Sequence, residues 1–323
     1  MRRGNLISGL AAALLLLGGF VWLFGGWFLG GPLPRDTEFT VPGGATLAQV
    51  ATQLEQEHAI ASASGFRLRA RIFGASGAIK AGAFLLPKAA SPSQILSILQ
   101  GGEIVRRSVT VPEGMPSIMV QERLAGQPAL TGAVAVPAEG SLLPDTYDIR
   151  NGESREAVVA RMQAAMQHTL ADLWAKRAAD AVVTTPQQAL VLASIVEKET
   201  GKPAERAMVA GLYSNRLRKG IRLQADPTII YPITRGKPLG RRIRQSEIHE
   251  VNDYNTYAMV GLPKAPITNP GRASIEAVLH PAHTDALYMV ADGSGGHAFA
   301  ATLEQHNANV RKWFALRKAR GDF

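Results

Sequence analysis

Hydrophobic positions follow several different patterns along the 323 residues, and each predicts a different element. From Leu6 to Leu33 no residue is charged. About twenty apolar residues are enough to cross a bilayer core as a helix. Arg2 and Arg3 precede this run, and Trp22 and Trp27 lie toward its far end. Cations on the cytoplasmic side and aromatics at the interface are usual for such a helix. The pattern predicts a transmembrane anchor with the N-terminus in the cytoplasm and the rest of the chain outside. A cleaved signal peptide is the rival reading. Its apolar core is usually shorter, and no clear small-x-small cleavage site follows Trp27. Gly30-Gly31-Pro32-Leu33-Pro34 predicts a stiff exit from the anchor.

A shorter pattern then occurs three times. Phe39-Thr40-Val41-Pro42 leads to Leu47, Val50 and Leu54; Phe84-Leu85-Leu86-Pro87 leads to Ile95 and Leu99; Val109-Thr110-Val111-Pro112 leads to Val120 and Leu124. Each copy is a short β-prone run ending in proline, then a polar turn. Apolar residues follow eight and twelve positions after the proline. Two positions four apart share a helical face, so each copy predicts strand, turn and amphipathic helix. Thr46, Ser91 and Ser117 are the expected helix N-caps. Three short copies are too weak a repeat for a solenoid.

The next long element is amphipathic. Val158, Met162, Met166, Leu170 and Leu173 recur at helical spacing between Ser154 and Ala179, after a turn-rich entry over Gly140 to Tyr147. Thr184-Thr185-Pro186 then predicts a cap and a first-turn proline for a helix that Gly201 and Pro203 stop at Thr200. That helix is Leu190-Val191-Leu192-Ala193-Ser194-Ile195-Val196-Glu197-Lys198-Glu199-Thr200 over its second part. Two glutamates sit at the end of an apolar helix, beside a loop. Burial disfavours the charged form of a carboxylate and raises its pKa. A carboxylic acid still protonated near neutral pH can protonate a leaving-group oxygen. The plain alternative is that both glutamates point into water. Glu199 continues the stripe of Leu192 and Ile195, and Glu197 continues Leu190 and Ala193. Two residues apart on a helix, they point to nearly opposite sides and cannot form a facing acid–nucleophile pair.

Composition narrows the choice of partner. Apolar residues make up 46% of the chain, which argues against disorder. There is no cysteine, so disulfides, thiolate nucleophiles, cysteine-linked lipid anchors and cysteine zinc sites are excluded. The formal charge of +9 suggests anionic surroundings: a membrane surface, nucleic acid or an acidic polymer. Placement outside the cytoplasm argues against nucleic acid. Arg235, Lys237, Arg241, Arg242 and Arg244 form a basic stretch. It is either a solvated loop or an attractor for carboxylates and lipid-linked phosphates. Glu276, His280 and His283 do not make a metal motif, because Pro281 interrupts the His-x-x-His spacing. His297 follows a hairpin-like glycine turn and is a candidate for lining a cleft. No serine or cysteine nucleophile motif accompanies it.

Past the glutamate helix, polar and aromatic residues crowd into turns: Asn215-Arg216-Leu217, Leu223-Gln224-Ala225-Asp226-Pro227-Thr228, Asp253-Tyr254-Asn255-Thr256-Tyr257, Ile267-Thr268-Asn269-Pro270-Gly271. Amides and carboxylates can bind hydroxyls and acetamides, and tyrosines can cover ring faces, as a sugar cleft requires. Turn and core architecture is the alternative for the same residues.

These stretches, with Ala193 to Thr200, Gly261-Leu262-Pro263, Ala291-Asp292-Gly293 and Gly295-Gly296-His297-Ala298-Phe299, resemble the YceG-like family of endolytic murein transglycosylases. The resemblance runs from about Leu142 to the C-terminus. It implies cleavage, without water, of the β-1,4 bond between N-acetylmuramic acid and N-acetylglucosamine in peptidoglycan, leaving 1,6-anhydro ends. It makes Glu199, the second glutamate of Glu-Lys-Glu-Thr, the catalytic acid. Motif position makes Gln224, Asp226, Tyr254, Asn255 and Tyr257 the expected substrate-binding residues. No cofactor and no metal are implied. The first two strand–helix copies resemble a LysM-like module, which implies glycan binding; a spacer is the alternative.

The expectation is thus an α+β chain with three parts. Residues 1–35 form the cytoplasmic tip and transmembrane helix, residues 36–105 a LysM-like αβ region, and residues 106–323 a mixed α/β lytic transglycosylase domain in the periplasm. Peptidoglycan strands, the inner membrane and peptidoglycan synthases are the expected partners. A non-catalytic glycan-binding scaffold, and a hydrolase in which Asp226 activates water, are the competing functions.

Overall fold

The computed structural model describes residues 17–74 and 77–321. The chain forms two compact units, Met1–Arg106 and Arg107–Phe323.

In the first unit, strand β1 (Thr37–Val41) is followed by helices α1 (Leu47–Gln56) and α2 (Ala63–Phe73), strand β2 (Gly82–Leu86) and helix α3 (Pro92–Gly101). The strands pair antiparallel, with Phe39 opposite Phe84. Thr46 and Ser91 close capping boxes with Gln49 and Gln94, as their spacing predicts. Helix α2, for which the repeat gave no signal, fills the other side of the core with Phe66.

In the second unit the third copy, strand β3 (Arg107–Thr110) and helix α4 (Ser117–Ala125), does not extend the first sheet. Strands β4 (Leu130–Thr131), β5 (Thr146–Ile149) and β6 (Glu153–Ser154) follow; β3 pairs antiparallel with β5, and β4 pairs parallel with β6. Val50, Leu54, Ile95, Leu99, Val120 and Leu124, at positions eight and twelve of the three copies, all have 0% exposure. Full burial of such side chains contributes about 1.5–3 kcal/mol each. Ser117 departs from expectation. Pro116 occupies the N-cap, and the Ser117 hydroxyl instead donates to the Ala138 carbonyl or the Glu139 carboxylate.

Helix α5 (Arg155–Ala175) starts at its Ser154 cap and buries Val158, Met162, Met166 and Leu173. Helix α6 (Pro186–Glu199) carries the two glutamates, and helix α7 (Arg206–Arg218) follows after one 3-10 turn. Short helices α8 (Pro227–Thr234) and α9 (Gln245–His249) precede α10 (Arg272–Leu279), which packs on both α6 and α7. A hairpin of β7 (Tyr288–Ala291) and β8 (His297–Ala300) and the helix α11 (Leu303–Arg320) complete the unit. Leu192, Ile195, Val209, Leu212, Ile275 and Val278 form the centre of its core.

The apolar N-terminal run behaves differently from its prediction. Its inner part, with Arg2 and Arg3, lies outside the described residues. Over its outer part the backbone forms a π-turn at Val21–Gly25 and one helical turn at Gly26–Phe28, then leaves the helix. Trp27, expected as an interfacial aromatic, is 2% exposed and packs on Phe66 and Phe73. Leu33 in the exit segment is also buried. Hydropathy cannot tell an apolar face packed on protein from one immersed in lipid, which is why the run read as continuous. Among the described residues no helix is long and apolar enough to cross a membrane.

Candidate active site

Helix α6 is held at both ends and in the middle. The Thr185 hydroxyl accepts from Gln188 N–H at 3.1 Å, with Pro186 in the first turn. Thr200 ends the helix and donates its hydroxyl to the Val196 carbonyl at 2.7 Å. Ser194, fully buried, donates to the Val191 carbonyl and accepts from Ile267 N–H at 3.0 Å. That bond ties the loop ahead of α10 to the helix, so a serine in an apolar motif has a structural task.

The two glutamates then part company. Glu197 accepts from Gly271 N–H at 3.0 Å and from the Ser274 hydroxyl at 2.7 Å, and Arg206 lies 3.8 Å away. The Glu199 carboxyl makes no hydrogen bond among the described residues. It lies mostly in protein but opens on a cavity of about 220 Å³, walled by Leu212, Tyr213, Arg216, Gln224, Asp226 and Tyr257. Desolvation by these walls, reinforced by the negative charge of Asp226, raises its pKa from the ordinary 4.5 to about 7.

Asp226 reaches this cavity through a tight polar staple. Gln224 has a left-handed backbone, φ +52°, and its N–H donates to the Thr256 carbonyl at 3.1 Å. Such a conformation is uncommon outside glycine and tends to mark functional loops. The Thr228 hydroxyl donates to the Ala225 carbonyl at 2.6 Å and accepts from Thr256 N–H. With its proton used, it accepts a hydrogen bond from the Thr256 hydroxyl at 2.8 Å. These bonds lock the segment around residues 224–228 to that around 255–257. As a result the Tyr257 hydroxyl donates to Asp226 Oδ1 at 2.6 Å. Burial, then the hydrogen bond to Asp226, pushes the Tyr257 phenol well above its ordinary value.

Three of the five expected substrate-binding residues, Gln224, Asp226 and Tyr257, therefore line one cavity with Glu199. The other two lie elsewhere. Asn255 has 0% exposure, and its amide donates to the carbonyls of Glu247, Ile248 and Glu250 at 3.2, 3.0 and 2.7 Å. Its donors are spent on a backbone turn, and it does not face the cleft. Tyr254 packs its ring on Tyr231 at 4.9 Å and lies under the Lys264 amine. The neighbouring amides are spent in the same way. Asn215 donates to Thr284 and Ala286 carbonyls, and Asn269 donates to the Met115 carbonyl.

Several lining residues had no assigned role. Arg216, 8% exposed, donates to the carbonyls of Leu287, Arg222 and Leu223 and to Gln224 Oε1. It bridges the hairpin to the strained loop and sets the cavity's back wall. Tyr213 is buried beside it, its phenol pushed up by burial and by Glu199. His297 does line the site: its N–H and Nδ1 both bond Glu205, at 3.1 and 2.9 Å. With backbone N–H and Nδ1 bonded to one carboxylate, the ring is fixed in place. A second cavity of about 420 Å³ shares Glu199, Ala291 and His297 with the first. Its other walls include Gly201, Gly293, Gly295, Gly296 and Trp313. Trp313 stands on a basic, weakly patterned helix, and nothing in its spacing marks it. Glu199 thus sits where two cavities meet, one polar and carboxylate-lined, one floored by glycine backbone with an aromatic wall.

His280 caps the C-terminus of α10, with its N–H on the Glu276 carbonyl. Among the described residues no three His, Asp or Glu side chains gather as a metal cage. In the basic stretch, Lys237 pairs with Glu122 at 2.5 Å and Arg241 with Glu247.

The YceG-like family model matches residues 39–312, reaching farther toward the N-terminus than the sequence motifs did. An endolytic murein transglycosylase of Bacillus subtilis is 26% identical over 336 residues, covering 91% of this chain and 92% of that protein. A protein of the same name from Streptococcus pneumoniae is 28% identical over 319 residues. That alignment covers 84% of this chain and 57% of the pneumococcal protein. The 2.6 Å crystal structure of a YceG-like protein from Listeria monocytogenes gives a TM-score of 0.54 at 28% identity, covering 85% of this chain and 99% of that one. With these relatives and this site, the chain is an enzyme of the lytic transglycosylase class, a lyase. It belongs to the YceG-like family.

Proposed function

We propose that the chain is a membrane-anchored endolytic transglycosylase. It cleaves the bond between N-acetylmuramic acid and N-acetylglucosamine inside peptidoglycan strands and leaves 1,6-anhydro-muramoyl ends. The observation that carries this reading is Glu199, a carboxyl with pKa about 7 at the junction of two cavities. A strand threads both cavities with its scissile oxygen at Glu199. Glu199 protonates that oxygen as the bond breaks. The substrate's 2-acetamido group stabilises the oxocarbenium-like centre. Glu199, now a carboxylate, takes the proton from the muramoyl C6 hydroxyl as its oxygen closes on C1. Proton and electron pairs balance with no water consumed, and one residue serves as acid and then base.

In this reading Asp226 and Tyr257 bind sugar hydroxyls and Trp313 covers a ring face. The N-terminal apolar run anchors the chain in the inner membrane, so the enzyme meets nascent strands beside the synthases that make them. The first unit, helices on a two-stranded sheet, suits a LysM-like glycan-binding or spacing role. Because Asp226 lines the same cavity as Glu199, a second reading follows: Asp226 activates water and the enzyme hydrolyses the bond.

Mass spectrometry of fragments released from purified peptidoglycan distinguishes the readings. Anhydro-muramoyl ends, one water lighter than hydrolysis products and absent with folded Glu199→Gln, are expected. Reducing ends would replace the lyase reading by the hydrolase, and no fragments at all by a binding scaffold.

A further inference from the structure

The first unit holds a cation that its own protein does not neutralise. Arg69 on α2 is 8% exposed, and among the described residues no carboxylate pairs with it. The sequence has no acidic residue before Asp36. Nη2 donates to the Trp22 carbonyl at 2.8 Å, and the guanidinium stacks over the Trp22 ring at 4.2 Å. Nε is buried without a partner. Burying a charge with an unspent donor is unfavourable unless something compensates it.

The surroundings are built for this guanidinium. A Cβ on Gly26 would lie 2.5 Å from Nη2, and a Cβ on Gly65 would lie 2.8 Å from Nη1. Two glycines therefore make the cradle. Arg69 lines a cavity of about 620 Å³ with Ser62, Ser64, Trp22 and Leu29. Ser62 caps α2, an eleven-residue helix, so the positive end of that helix opens on the same cavity. Among its walls, Trp22, Leu29 and Leu68 are exposed apolar side chains. Arg67 and Arg71, one helical turn apart, are exposed beside Leu68 and Ile72.

We propose that this cavity binds the phosphate headgroup of an anionic membrane phospholipid. Arg69 and the start of α2 hold the phosphate, and the apolar rim meets acyl chain. Charge complementarity and the rim together select a lipid over a free anion. The inference rests on the reading of the N-terminal run as a membrane anchor. It would orient the first unit against the bilayer surface.

The test uses the full chain in neutral detergent, with Trp22 fluorescence as readout and Trp22→Phe as control. Dihexanoyl phosphatidylglycerol, added below its micellar concentration, is expected to give a saturable change; dihexanoyl phosphatidylcholine is expected to give none. Arg69→Gln is expected to weaken binding at least tenfold. Ser64→Asp places a carboxylate at the mouth and is expected to do the same with Arg69 intact, which covers a folding defect in the first variant. No saturable response, equal response to both lipids, or unchanged affinity in Ser64→Asp overturns the proposal. Inorganic phosphate binding as tightly as the lipid also overturns it, leaving a free-anion site. Glycan cleavage is not part of the readout, so failure here leaves the role of Glu199 untouched. Whether the chain sediments with membranes tests the anchor separately.

Discussion

Glu197 and Glu199 leave the same helical turn and meet opposite chemistry. Glu197 faces donors: a backbone N–H, a hydroxyl and a guanidinium surround it. Glu199 meets no hydrogen-bond donor among the described residues; burial and the negative charge of Asp226 raise its pKa to about 7. One carboxylate is spent on these donors and fastens the loop before α10. The other is stabilised as an acid and can give up a proton near neutral pH. The difference lies in what the two helix faces are packed against, since residue type and helix are the same.

The sharpest way to break this comparison is to remove each acid in turn. Glu199→Gln is expected to lower cleavage by about a thousandfold or more, the usual scale of a lost general acid, with folding intact. Anhydro-fragment release and circular dichroism measure the two halves. Equal activity in variant and parent would end the assignment.

pH sharpens it further. The folded Glu199 holds its proton between 4.5 and about 7, where an unfolded glutamate has lost it. Its contribution to stability is therefore complete below about pH 4.5 and is lost as pH rises through about 7. Activity that needs the protonated acid is expected to decline above pH 7 with the same inflection. Asp226→Asn removes the neighbouring charge and is expected to move the inflection to lower pH. Above pH 7, Glu199→Gln is expected to melt at a higher temperature than the parent. A pH–rate profile and melting curves at two pH values check both.

Glu197→Gln is expected to act on stability, not chemistry. It weakens contacts with Gly271, Ser274 and Arg206 and costs about 1–3 kcal/mol. Urea unfolding measures this, and turnover per folded molecule is expected to stay near that of the parent. Asn255→Ala is expected to resemble Glu197→Gln, because three carbonyls lose their donor at once. The smallest effect is expected from Tyr254→Phe. No hydrogen bond from the Tyr254 hydroxyl is seen among the described residues, its ring contacts survive, and cleavage is expected to change less than twofold.

Much of the frame was legible before the structure. The strand–proline–helix copies placed six side chains that are all fully buried, because a helical face repeats every three or four residues whatever surrounds it. The caps at Thr46, Ser91 and Thr185 follow the same local logic. Ser117 failed because Glu139, far along the chain, recruited its N–H and hydroxyl. Asn255 reads from its motif as a substrate binder, and Asn215 and Asn269 belong to the same polar turns. Only the positions of the carbonyls around them show that they are staples. Arg216 stood in a motif with no role of its own, and Trp313 had no signal at all, since a lining role depends on which loops converge.

Local periodicity and turn chemistry are short-range, so the amino-acid sequence by itself determined where several of the helices begin or end. It also determined which faces are apolar and that Glu197 and Glu199 diverge. Burial, charge and hydrogen-bond supply come from residues remote in the chain. Tertiary structure alone decided that Glu199 meets Asp226, that Asn255 turns inward and that Trp27 joins a core.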